Sequence, residues 1–187
     1  MLILGIDPGL QKTGWGIVLS RGNALQYRAS GLIKTDAEQS LPNRLAHIHG
    51  ELARVIEEHK PEAAAVEETF VNQNPASALK LGQARGVALS VPALYGLETA
   101  EYAANKVKKS IVGSGHADKN QIGMMIQRLL PACGRISEDE ADALAVAICH
   151  AHHRPLSFRR KPESSKLTNK LTGNPIPAFA GMTGEVK

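Results

Sequence analysis

The chain has 187 residues, of which 43% are hydrophobic and 21% charged, which suits one domain with a real core plus a tail. No apolar run approaches the roughly 18 residues of a membrane span, and Met1 leads into a strand pattern rather than a basic signal region, so the expectation is a cytoplasmic protein with no membrane partner. The net charge of +4 is unevenly placed: residues 154–187 hold seven basic groups against two acids, and the rest is near neutral, so any basic surface on the folded part must be local.

Leu2, Leu4 and Ile6 alternate with Ile3, Gly5 and Asp7, the period of a strand buried on nearly both faces. Asp7 ends that run, where a lone buried carboxylate is costly, so either an ion or the hydrogen bonds of an Asx-turn must compensate it. Pro8-Gly9 breaks the strand, Thr13-Gly14 marks a second turn region, and Trp15 to Leu19 predicts a second strand. After a turn at Ser20–Asn23, Ala24 to Thr35 predicts a third strand interrupted at Gly31, completing an antiparallel meander. Ser40-Leu41-Pro42 opens a helix whose stripe is Leu41, Leu45, Ile48, Leu52, Val55 and Ile56; His47, His49 and His59 read as surface or boundary residues. Pro61 ends it. Ala63 to Val66 is a short strand between two helices, which predicts parallel pairing with the first strand. Alternation sends Glu67 and Glu68 to opposite faces, one beside Asp7 and the other into a solvated loop.

Asn74 caps a helix over residues 75–89. Gly82 and Gly86 inside it cost about 1 kcal/mol each relative to Ala, which points to close packing either within the subunit or against a second copy. Lys80 and Arg85 lie on the same helix. Leu97 to Tyr102 predicts a further strand, and Lys106-Val-Lys-Lys-Ser110 is either a solvated face or a nucleic-acid contact. Gly113–His116 is a loop, and residues 117–130 predict a helix with Lys119 near its start. Ser137-Glu138-Asp139-Glu140 is a capping box that opens a helix running to His153. Cys133 and Cys149 fall outside any CxxC spacing and read as buried, reduced thiols. Residues 155–187 lose apolar periodicity, gain proline and predict a disordered basic tail.

Asp139 and Asp142 are three residues apart and share one face of the opening helical turns. The helix dipole accounts for Asp139 alone, whereas Asp142 sits one turn in, ahead of an apolar run. If the strand pairing holds, Asp7, Glu67, Asp139 and Asp142 can converge. Such acids repel unless hard cations neutralise them, and Mg²⁺ takes oxygen ligands. Two such ions about 4 Å apart activate water and stabilise the leaving oxygen of a phosphodiester.

Leu4-Gly-Ile-Asp-Pro-Gly9 with Thr13-Gly14, Val66-Glu67 with Phe70, Asn74 with Ser77-Ala-Leu-Lys-Leu-Gly-Gln-Ala-Arg-Gly86, Glu101-Tyr-Ala-Ala104 with Val107-Lys108, Val112-Gly113 and Ala141-Asp-Ala-Leu-Ala145 follow one another in this order. Over roughly residues 1–153 the chain resembles the RuvC family of bacterial Holliday-junction resolvases. The resemblance implies a ribonuclease H-like fold and a homodimer that uses Mg²⁺, two ions per active site, to nick four-way junction DNA symmetrically. It further implies branch-migration motors of the RuvAB type as partners. Carried over residue by residue, it implies that Asp7, Glu67, Asp139 and Asp142 are the catalytic, metal-binding carboxylates. Phe70 would then stack on bases near the crossover, and Lys108 and Lys119 would meet the DNA, with Lys80 and Arg85 as further candidates. Glu68 is an extra acid that leaves open which glutamate binds metal, and the tail from Pro155 has no counterpart in the family.

The expected architecture is therefore α/β: a mixed five-stranded sheet flanked by helices on both sides in a nuclease domain of residues 1–154, with a tail over 155–187. The expected activity is metal-dependent resolution of Holliday junctions in DNA recombination and repair. A sugar-kinase or actin-like ATPase shares the Asp, Gly and Thr of the first hairpin, but needs two domains that 153 folded residues cannot supply. A junction-binding protein without catalysis leaves the four acids unexplained. A nuclease of this fold acting on RNA leaves Phe70 and the glycine-bearing helix unexplained.

Overall fold

Five strands form one sheet. β1 (Leu2–Asp7), β2 (Lys12–Arg21) and β3 (Ala24–Lys34) are the expected antiparallel meander; β4 (Ala63–Glu68) pairs in parallel with β1, and β5 (Glu98–Ala103) with β4. The order across the sheet is β3-β2-β1-β4-β5. The structure, a computed structural model, describes residues 1–68, 74–113 and 119–153; the expected tail over 155–187 lies outside them.

Strand alternation divides the interior into two cores. Leu4, Ile6, Ile17, Ala64 and Val66 face α1 (Leu41–His59) and α2 (Pro75–Leu94), whose Ile48, Leu52, Ala84 and Ala88 complete that layer. Ile3, Val18 and Ala65 face the other way, toward α3 (Ala104–Val112), α4 (Lys119–Leu129) and α5 (Glu138–His153). The central helix of that layer is α5, buried from Ala143 through His150. Its run of small residues and the glycines of the meander let it lie close on the sheet. A Cβ placed on Gly5 would stand 2.0 Å from the Ala143 carbonyl oxygen, and one on Gly14 2.1 Å from that of Asp139. No real side chain fits either gap.

Several boundaries differ from the expectation. The second strand starts at Lys12, and Thr13-Gly14 belongs to it rather than to a turn. Buried Thr13 closes the hairpin: its hydroxyl donates to the Gly9 carbonyl at 2.7 Å and accepts from the Gly9 N–H at 3.3 Å. The third strand is continuous through Gly31, which lies opposite Trp15 because a Cβ there would stand 2.7 Å from the indole. The irregularity falls instead between Ile17 and Val18. Helix α2 runs on to Leu94 despite Pro92, which sits in the last turn where only one hydrogen bond is lost. Helix α3 was not anticipated; its inward signal is just Val107 and Ile111 among lysines. No helix among the described residues is long and apolar enough to cross a membrane.

Candidate active site

Register brings the acids together. In β1, Ile3 and Ala65 of β4 both face α5, and counting in twos along each strand puts Asp7 and Glu67 on that same face. Glu68 takes the opposite face and is exposed, as alternation requires. Across the sheet Asp7 pairs with Gly14, and Gly14 lies under the Asp139 backbone. The first turn of α5 therefore starts above the end of β1, with Asp142 one turn further along.

The electrostatics register this convergence. Burial, then the charges of Glu67 and Asp142, then a hydrogen bond with Glu67 and finally the charge of Asp139 push the Asp7 carboxyl up to about 8. Thr13, through its two hydrogen bonds to Gly9, closes the hairpin that follows Asp7. Among the described residues no three His, Cys, Asp or Glu side chains close on a common point as they stand. The donor set of Asp7, Glu67, Asp139 and Asp142 is oxygen-only and electron-rich, and fits a hard divalent cation.

A cleft of about 230 Å³ opens beside these acids, lined by Glu67, Asp142, Lys108, Val107, Ile122 and Ala145. Lys108 thus borders the acids from α3, half-buried. The other expected contacts are dispersed. Lys80 is exposed on α2. Arg85 is ion-paired with Glu101 of β5, so its charge is already compensated. Phe70 and the Lys119 side chain lie outside the described residues.

The capping box forms as expected: the Ser137 N–H and hydroxyl donate to Glu140 Oε2 at 2.9 and 2.7 Å, and the Glu140 N–H donates to the Ser137 hydroxyl at 3.3 Å. A contact that sequence reading missed joins it. Ser30 of β3 donates to Glu140 Oε1 at 2.8 Å across 110 residues of chain, a separation over which no local pattern carries information.

A five-stranded mixed sheet with acids gathered at the end of its central strand is the framework of a ribonuclease H-like nuclease. The family described as "Crossover junction endodeoxyribonuclease RuvC" matches residues 3–150, and the chain belongs to it. The protein of that name from Paramagnetospirillum magneticum is 58% identical over 154 residues, covering 82% of this chain and 93% of the relative; that of Bradyrhizobium diazoefficiens is 56% identical over 152 residues, covering 81% and 87%. Among solved structures, Thermus thermophilus RuvC superposes with a TM-score of 0.73 at 32% identity, covering 81% of this chain and 93% of that one. The same protein in complex with a Holliday junction substrate gives 0.74 at 33%, with the same coverage. The yeast mitochondrial Holliday junction resolvase Ydc2 shares the fold with a TM-score of 0.60 at 11% identity, covering 80% and 77%.

Proposed function

We propose that the protein resolves Holliday junctions in DNA recombination and repair, and that Asp7, Glu67, Asp139 and Asp142 are its catalytic carboxylates. The observation that supports the reading is geometric: Asp7 and Glu67 end adjacent parallel strands on one face of the sheet, under the opening turn of α5 that carries Asp139 and Asp142. Together they would hold Mg²⁺, two ions per site, which supply activation of water and stabilisation of the leaving oxygen. Asp7, on a rigid central strand, anchors the site; Glu67 adds a ligand from the neighbouring strand, and Asp139 and Asp142 add two from a helix pressed on the sheet. Lys108 faces the same cleft and offers a cation to the scissile phosphate or its neighbour. Exposed Lys80 supplies a backbone contact further off, and Phe70 and Lys119 are assigned base stacking and phosphate contact by their place in the family motifs.

The active form is a homodimer. Helix α2 is apolar on most sides, and while Ala84, Ala88 and Val91 are buried, Leu79 is 66% exposed and Gly82 and Gly86 have nothing among the described residues within 4 Å of a built Cβ. Intrasubunit packing therefore does not account for these glycines. A second copy seated on that face does, and a two-fold pair of sites suits two symmetric cuts in a four-way junction. The enzyme acts in the cytoplasm, on junctions moved by motors of the RuvAB type.

The test pairs wild type with Asp7→Asn on a synthetic four-way junction, with Mg²⁺ and with a chelator. Wild type with Mg²⁺ is expected to cut, and Asp7→Asn to bind without cutting. Equal cutting by the two proteins would end the assignment.

A further inference from the structure

Glu140 does more than start its helix. A reciprocal pair between Ser137 and Glu140 is sufficient to cap α5, and it occupies one carboxylate oxygen. The second oxygen is taken by Ser30, at the centre of β3. The direction of this chain of hydrogen bonds is set by chemistry. Ser30 Oγ donates to Glu140 Oε1 at 2.8 Å, so the single hydroxyl proton of Ser30 is committed to the carboxylate. With that proton used, Tyr27, 3.1 Å from Ser30, donates to the Ser30 oxygen. The result is an ordered path from Tyr27 through Ser30 to Glu140.

Glu140 lies between Asp139 and Asp142 on one helical turn. The backbone of that turn already rests on Gly14, which fixes its height above the sheet. The Ser30 bond adds a lateral tie to the strand beyond β2. Functional constellations lose efficiency when their members drift by more than about 0.5 Å, so a side-chain tie at this turn bears on the acids it carries.

We propose, on the reading of the four acids as an ion site, that Ser30 and Glu140 are positioning residues: their bond ties the opening turn of α5 to β3 and so keeps Asp139 and Asp142 turned toward Asp7. Neither touches an ion or the DNA. Removing the Ser30 hydroxyl leaves the capping box and the hydrophobic contacts of α5 in place, while freeing the turn to shift.

The experiment titrates Mn²⁺ alone into wild type, Ser30→Ala, Ser30→Thr and Asp7→Asn by calorimetry, and then measures junction Kd and nicking kcat for each. Ser30→Ala is expected to weaken Mn²⁺ binding by about 10-fold and to lower kcat at limiting metal, with junction Kd unchanged. Ser30→Thr, which keeps the hydroxyl, restores both. Mn²⁺ affinity of Ser30→Ala equal to wild type overturns the inference, as does a loss that Ser30→Thr fails to restore. Should Ser30→Ala not fold, Ser30→Cys, of similar size but with a far weaker donor, carries the same comparison. Undiminished Mn²⁺ binding by Asp7→Asn would instead sink the four-acid reading itself, whatever Ser30 does.

Discussion

Gly14 lies directly beneath Asp139: a Cβ on the glycine would stand 2.1 Å from the aspartate's carbonyl oxygen. Since Gly14 is also the cross-strand partner of Asp7, one close contact sets both the height of α5 and the meeting of two acids. Gly14→Ala has no flexible atom to displace, so the helix itself must lift. Overpacking of this kind costs about 1–3 kcal/mol, and because the lift falls at the turn that carries Asp139 and Asp142, nicking should drop more than stability does. Thermal melts and nicking rates on the same preparation separate the two, and an alanine variant that nicks at the wild-type rate would show the contact to be relaxed elsewhere.

The raised value of Asp7 makes a statement about pH. The folded protein holds this proton up to about 8, whereas the unfolded chain releases it near the ordinary 3.8. The folded state is thus favoured by this group below the lower value, and that advantage is lost progressively as pH climbs to the upper one. In chelator the melting temperature should therefore fall between about pH 5 and about pH 8, with a slope of at most about 1.4 kcal/mol per pH unit from this group. Asp7→Asn should flatten the dependence, and a divalent cation should stabilise wild type most at the alkaline end. A melting temperature that rises over this interval in chelator would contradict the crowding of the acids.

The local order of this fold is written in local signals. Alternation in residues 2–7 marks the central strand, the Ser137–Glu140 spacing marks the start of α5, and opposite faces for Glu67 and Glu68 follow from a two-residue period. Three features escaped. Thr13-Gly14 resembles a turn because Gly is common in turns, whereas here the glycine is needed for a helix that arrives 125 residues later. Ser30 carries no pattern at all, since its partner Glu140 is brought near only by the finished sheet. Helix α3 was obscured by its lysines, which outnumber the two inward residues that define it. Motif resemblance bridged the gap for the acids, but long-range packing alone explains why they meet.

The outward face of α2 yields a prediction about assembly. Gly82→Glu places a long charged side chain where, among the described residues, nothing of the same subunit lies within 4 Å of a built Cβ, so the subunit should fold normally. If a second copy covers this face, the buried charge should shift the protein from dimer to monomer and abolish paired cuts. Sedimentation at a series of concentrations is the measurement, and a variant that remains as dimeric as wild type would move the interface off this helix.

Residues 155–187 should be dispensable for folding and nicking. Both cores close within residues 3–149, and the family match stops at residue 150. A protein of residues 1–154 is expected to melt within a few degrees of the full chain and to nick at a comparable rate; precipitation or loss of activity would show that the segment contributes to the domain.

Lys108 and Arg85 separate a cation aimed at the cleft from one already spoken for. Lys108 lines the cleft with Glu67 and Asp142, so Lys108→Ala should slow nicking by about 10-fold or more while leaving junction affinity nearly intact. Arg85 is paired with Glu101, both partners about one-third exposed, and such a pair is worth at most about 1 kcal/mol. Arg85→Ala should therefore shift the melting temperature slightly and change nicking little. Charge removal is the same in both variants, so a general loss of electrostatic attraction for DNA would weaken binding equally in each. Only a location-specific role predicts the split, with kcat falling for Lys108→Ala alone. Equal effects on junction affinity and no difference in kcat would return Lys108 to an ordinary solvated face.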